Sequence, residues 1–252
     1  MGTVIAIINH KGGVAKSTTA GALVAGLSFM GKKVLAVDLD AQCNLSLITG
    51  ANTQELTIAD VLSGAKAEDA VQHTEQGDII AGSVALAGAD NVLTGKGKQY
   101  TLKKTLEGLA YDYIVIDTPP ALNILTINAL TACHKVVIPT QADILGVQGI
   151  KALYDTIKAV KKQANPALEV AGILITRYSP RSIYTAELTD LLNQLAQNLG
   201  TKLFSSAIRE AIAVKESQIR QQSIFSYAPK AKVTADYRGF IEELLADIEK
   251  GL

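Results

Sequence analysis

The chain has 252 residues, 48% of them hydrophobic and 19% charged, with 24 basic and 24 acidic side chains that leave no net charge. It is too apolar for a disordered segment, has no run near the ~20 apolar residues of a membrane span, and is too balanced to bind nucleic acid through its overall field. Two cysteines, Cys43 and Cys133, and three histidines, His10, His73 and His134, are too scattered for a metal-ligand spacing, and with no export signal they imply a cytoplasmic protein with reduced thiols.

The first element is TVIAIIN (3–9), a buried strand rich in β-branched residues. KGGVAKST (11–18) follows at once. Behind it Ala20, Leu23, Val24 and Leu27 mark the buried face of a helix that Gly31 stops. Strand, glycine turn and helix start together make a phosphate cradle, because the loop N–H groups and the helix N-terminus favour an anion. Lys16 is placed to reach the outer phosphates, and the Ser17 hydroxyl to ligate Mg²⁺.

KKVLAVD (32–38) is a second strand, delivering Asp38 and Asp40 to its end. A weaker helix in LTIADVLSG (56–64) and a short strand in GDIIAGS (77–83) come next. YDYIVID (111–117) ends on Asp117, where Pro119 and Pro120 forbid a helix. HKVVIPTQ (134–141) and VAGILIT (170–176) are strands, separated by a helix over 146–163. A helix over 182–200, a last strand in TKLFSSAI (201–208) and a terminal helix over 234–250 complete the chain. This alternation predicts an α/β fold: one mostly parallel twisted sheet with helices on both faces and its ligand at the C-terminal strand ends. With no repeat, low-complexity tract or linker, we expect a single domain over 1–252. Because the first strand starts at Thr3, neither a signal peptide nor an N-terminal helix-turn-helix extension is expected.

The loop is not a strict G-x-x-x-x-G-K-[ST], since His10 and Ala15 stand at the glycine positions. It reads K-G-G-x-x-K-[ST], with a second lysine, Lys11, at its entrance. That resembles the deviant Walker loop of the ParA/MinD family of ATPases, usually KGGxGK[ST]. VDLDAQCN (37–44) resembles the family's D-x-D-x-Q element and IVIDTPP (114–120) its D-x-P-P. LTINAL (125–130) and YAPKAKVTADY (227–237) carry the likeness over nearly the whole chain.

The resemblance implies a single P-loop NTPase domain that hydrolyses ATP with Mg²⁺. Gly12, Gly13, Val14, Ala15, Lys16, Ser17 and Thr18 would cradle the phosphates. Lys11 would cross to the nucleotide of a partner subunit, implying an ATP-dependent homodimer. Asp40 would orient the attacking water, Asp38 would frame the metal and loop, and Asp117 would hold Mg²⁺ through a water. Base contacts are expected at Arg177 and Tyr178 and at Arg209 and Ala211, although relatives often carry Pro-Arg-Asn where this chain has Arg209-Glu210-Ala211.

From Arg209 to Arg238 six basic residues face three acidic ones, whereas 239–252 hold four acidic and one basic. Lys215, Arg220, Lys230 and Lys232 are therefore candidates for phosphate contacts to DNA. The run 95–104, with Lys96, Lys98, Lys103 and Lys104, is the rival surface. The partition ATPases among these relatives imply non-specific DNA, a ParB-like partner that stimulates hydrolysis, and a nucleoid-associated place in the cytoplasm, with plasmid or chromosome as cargo. The alternative is a MinD-like positioning ATPase of another cargo, but the acidic end FIEELLADIEKGL would be repelled by an anionic bilayer. An iron-protein role would need a cysteine pair at a dimer axis, which Cys43 and Cys133 do not supply.

Overall fold

The computed structural model describes residues 2–178 and 184–250. In chain order the first half contains β1 (Thr3–Ile7), α1 (Lys16–Phe29), β2 (Val34–Asp38), α2 (Asn44–Thr49), α3 (Ile58–Leu62), β3 (Val71–Thr74), β4 (Gly77–Ile80), α4 (Ala89–Val92) and α5 (Thr101–Leu106). The second half contains β5 (Tyr113–Asp117), α6 (Ile124–Ala132), β6 (Lys135–Thr140), α7 (Ile144–Gln163), β7 (Glu169–Ile175), α8 (Tyr184–Asn198), α9 (Ile212–Ile219), α10 (Ile224–Tyr227) and α11 (Lys232–Lys250). The strands form one sheet in the order β3-β4-β2-β5-β1-β6-β7. Every neighbouring pair is parallel except β3 with β4.

Side chains alternate across β1 and divide the core. Ile5 and Ile7 pack with Leu23, Val115, Phe240 and Ile241 on one face, while Val4, Ala6 and Ile8 pack with Ile114, Leu125 and Ile150 on the other. Both faces are covered, which is why the central strands read as continuous apolar runs.

Helix α1 departs from the expected single buried stripe, because every residue from Thr19 to Leu27 is buried. Its outer side is covered by Tyr237, Phe240, Ile241 and Leu244 of α11 and by Phe225 of α10. Gly26 permits that approach, since a Cβ there would lie 2.3 Å from Ile241 Cδ1.

The segment 201–208 is not the regular strand its sequence suggests. It runs beside β7, with Phe204 N donating to Ile173 O and Ile208 N to Ile175 O, but forms only isolated bridges. Glu243 explains the break: its carboxylate takes the N–H of Ser205 at 3.0 Å and of Ser206 at 3.4 Å, diverting them from the ladder. The structure also adds β3, an antiparallel edge strand that the polar VQHT segment did not announce. Of the helix expected over 182–200, positions 182 and 183 lie outside the described residues.

Parallel pairing places the ends of β1, β2, β5, β6 and β7 on one rim. The segments that follow these strands meet there and build the site.

Candidate functional site

After β1 the chain turns through Gly13 at φ +75° and Ala15 at φ 62°, ψ 34°, and enters α1 at Lys16. Left-handed backbone costs an L-residue about 1–2 kcal/mol, so Ala15 is held there by its surroundings. Thr176, just past β7, shares its hydroxyl proton between Val14 O at 3.0 Å and Thr140 O at 3.1 Å. The Lys11 amide donates to Asn9 Oδ1 at 3.0 Å, and Asn9 Nδ2 donates to Pro139 O at 2.7 Å. Gly12 and Gly13 are exposed, with nothing within 4 Å of an added Cβ. The loop thus opens onto free space while its underside is pinned, and Val14 is buried beneath it.

Lys16 is 7% exposed and donates to Lys11 O at 3.4 Å. Burial pulls its pKa down, and Asp117 and then Asp40 pull it the other way. His10, beside the loop, is pushed down by burial and by Lys16. The Lys11 side chain does not extend from the entrance but forms an ion pair with Asp143, at the start of α7.

Asp38 and Asp117 are register partners at the ends of β2 and β5, on strands about 4.8 Å apart. Both are fully buried. Asp38 accepts from Ser46 N at 2.9 Å, Ser46 Oγ at 2.7 Å and Asp40 N at 3.1 Å. Ser46 Oγ in turn accepts from Gly82 N at 2.8 Å. Asp38 thereby fixes the turn that presents Asp40, whose Oδ1 accepts from Gln42 N at 3.1 Å. Asp117 is different. Neither of its oxygens meets a hydrogen-bonding partner in good geometry. Burial, and then Asp38, push its pKa well up, with Ser17 and Lys16 pulling the other way. Burial also raises Asp38, against the hydrogen bonds from Ser46.

An orphaned buried carboxylate beside a serine hydroxyl is a donor set for a hard cation. Among the described residues no group of three His, Cys, Asp or Glu side chains could hold a metal ion. The fit is therefore to Mg²⁺ that keeps water and shares substrate phosphates, not to an all-protein cage. Ser17 and Asp117 would hold it. Cys43 lies at the same turn, its thiol pushed up to about 11 by burial and by Asp38 and Asp40, which leaves it inert.

A cleft of about 460 Å³ runs from Gly12, Gly13 and Lys16 to Arg177, Arg209 and Ala211. Arg177, at φ 53°, bridges its ends, donating to Gly13 O at 3.4 Å and to Glu210 Oε1 at 3.1 Å. Arg209 lines the cleft, but its guanidinium is held by Asp236 through Nε at 2.6 Å and Nη2 at 2.7 Å. Tyr178 does not line the cleft; it packs against the core face shared with Ile173 and Ile175. Gln218 of α9 donates to Thr18 Oγ1 at 2.9 Å.

Lys215, Arg220, Lys230 and Lys232 are all exposed. Lys215 lies 3.8 Å from Glu210, and Arg220 lies over the Tyr227 ring at 5.7 Å. The rival basic run sits elsewhere. Lys103 is close enough to depress the pKa of His134, which lies just before β6 at the end of the sheet away from the loop.

Sequence reasoning missed Asn9, Asp143, Thr176 and Gln218. Only the adjacency of β1, β6 and β7 brings the first three together, and no local pattern encodes it.

A family model described as AAA domain matches residues 2–170. The chain is 33% identical over 246 residues to the chromosome-partitioning ATPase Soj of Thermus thermophilus, covering 98% of this chain and 96% of that protein. It is 32% identical over 253 residues to the chromosome partitioning protein ParA of Caulobacter vibrioides, covering 96% and 94%. Among solved structures it is similar to cobyrinic acid a,c-diamide synthase from Mycobacterium smegmatis with bound ADP and magnesium, with a TM-score of 0.86 and 31% identity over 100% of this chain and 97% of that one.

Proposed function

The chain belongs to the ParA/Soj family of AAA-domain ATPases, and from that premise we propose that it partitions DNA as an ATP-dependent dimer. In this reading one domain spans the whole chain, and two ATP-bound copies sandwich their nucleotides. The dimer coats plasmid or chromosomal DNA without regard to sequence, and a ParB-like partner triggers hydrolysis and release at the nucleoid.

ATP and Mg²⁺ are the cofactors of this ATPase. The observation that carries the reading is the convergence of two loop lysines, Lys11 and Lys16, with Asp40 and Asp117 on one rim. The amides of Gly12 to Thr18 bind the phosphates, and Lys16 neutralises their outer charge. Bound Mg²⁺ supplies further positive charge against the phosphate oxygens. Asp40, held at its turn by Asp38, orients a water, which suits a reaction that depends on positioning more than on a strong base. Arg177 ties the loop to the base end of the cleft.

Support for DNA over a bilayer comes from α11. Val233, Tyr237, Phe240, Ile241, Leu244 and Ile248 are already buried against the core, so its apolar face is not available to lipid, whereas Lys230 and Lys232 stand exposed. No helix of the described residues is long and apolar enough to cross a membrane.

The test uses Asp40→Ala, which lacks the water-orienting group. With ATP and Mg²⁺ it is expected to turn over at least about 10²-fold more slowly, to sediment as a dimer, and to bind plasmid DNA at low salt. An ATP-loaded dimer that ignores DNA removes the partition role, and an ATP-loaded monomer removes the sandwich.

A further inference from the structure

The entrance lysine is not poised to leave its own subunit. Its side chain is 26% exposed and paired with the Asp143 carboxylate. The lysine backbone is fixed as well, by the Asn9 contact to its amide and the Lys16 contact to its carbonyl. Asp143 cannot swing away freely, because its Oδ1 caps α7 by accepting from Gly146 N at 2.7 Å. The cap is tightly built: a Cβ on Gly146 would stand 2.7 Å from Thr140 Oγ1 and 3.3 Å from Asp143 Oδ1. One oxygen of this carboxylate therefore holds a helix start while the other holds an ammonium from a loop 132 residues away.

We propose that Asp143 is a positioning residue for Lys11, clamping it in cis so that dimer formation must break one such pair in each subunit. This rests on the proposed sandwich dimer, in which Lys11 serves the partner's nucleotide. A lysine cannot satisfy a carboxylate of its own subunit and a phosphate across the interface at once, so the two states compete for one ammonium. A half-exposed ion pair shifts an equilibrium by a factor of about 1.5 to 5. Because a symmetric dimer releases two, the factors multiply, and the clamp weakens dimerisation by about 2- to 25-fold. The device sets a threshold: ATP has to outbid Asp143 twice before two copies close.

The experiment uses the full chain with Asp143→Asn, which keeps the Oδ1 cap and loses the charge. Asp143→Ser, also a good cap but too short to reach Lys11, is a second variant should the first fail to fold. In the Asp40→Ala background with ATP and Mg²⁺, either change is expected to tighten the dimer dissociation constant, read by sedimentation velocity, by about 2- to 25-fold. Separately, without nucleotide, acetylation of Lys11 by a water-soluble N-hydroxysuccinimide ester, followed by peptide mass spectrometry, is expected to be several-fold faster in Asp143→Asn than in the parent. An unchanged or weaker dimer, or equal acetylation rates, overturns the clamp and leaves the sandwich intact. If the Asp40→Ala parent stays monomeric with ATP, the sandwich and the clamp fall together.

Discussion

Thr176 donates its hydroxyl to the carbonyl of Val14 across 162 residues of chain. The bond joins the end of β7 to the residue just before Ala15, the one position of the loop where an alanine occupies left-handed backbone. Long-range anchoring of this kind is what holds an unfavourable conformation in place.

Ala15→Gly is therefore expected to stabilise the protein. Relief of the left-handed strain, about 1–2 kcal/mol, outweighs the entropy glycine adds to the unfolded chain, about 0.5–1 kcal/mol. Urea melts without nucleotide are expected to give a net gain near 0.5–1 kcal/mol, with ATP affinity unchanged within about twofold. A loss of stability would mean that the alanine methyl makes a packing contact worth more than the strain.

Lys16→Ala and Ser17→Ala remove the two side chains that act on phosphate and metal. Each is expected to lower ATPase turnover by at least about 10²-fold with an unchanged circular dichroism spectrum. Lys16→Ala also weakens binding of a fluorescent ATP analogue, and Ser17→Ala removes its Mg²⁺ dependence. Parent-like turnover in Lys16→Ala would reassign the loop.

Asp117 gives a pH signature in the metal-free protein. Its folded-state pKa lies above the unfolded value of about 4, so between the two the folded state holds the extra proton. Stability then falls as pH rises through that window, and Asp38 contributes with the same sign because burial raises it too. Asp117→Asn removes the larger share. It is expected to gain about 1–3 kcal/mol at pH 8 over the parent, to flatten the decline between pH 5 and pH 8, and to lose Mg²⁺-dependent nucleotide binding. Equal slopes in urea melts at the two pH values would show that Asp117 is not the source.

For DNA, charge and symmetry give a slope. Log affinity falls with log salt in proportion to the phosphates neutralised, and a lysine contributes about one to that slope. Lys230→Ala or Lys232→Ala, removed from both subunits at once, is expected to reduce the slope of the ATP-bound dimer by about two on any sequence. Lys103→Ala, toward the far end of the sheet beside His134, is expected to leave it unchanged. The reverse pattern in filter-binding titrations would move the DNA surface to the rival run.

Most of this architecture could be read directly from residue order. β1, β2 and β5 are buried on both faces and so appear as uninterrupted apolar runs; Asp117 ends one such run, and the loop that carries Lys16 lies just beyond another. What escaped has a common cause. VQHT gave no sign of β3 because an edge strand with one partner needs no apolar run, and His73 within it faces solvent. The interruption of 201–208 depends on Glu243, which is 38 residues from Ser205. The pairing of Arg209 with Asp236 likewise needs α11 to return beside the cleft. Local pattern reports which residues are buried, not which distant carboxylate will claim a donor.

The enclosure of α1 has one more consequence. Amides shielded on every side open only with the whole molecule, whereas rim segments open on their own. The loop is divided between the two regimes, since Lys16 begins the enclosed helix while Lys11, Gly12 and Gly13 belong to the rim. A nucleotide thus settles against one wall enclosed by the core and another open to solvent. The open side, where Gly12 and Gly13 are exposed, is also where the proposed dimer would place its second copy.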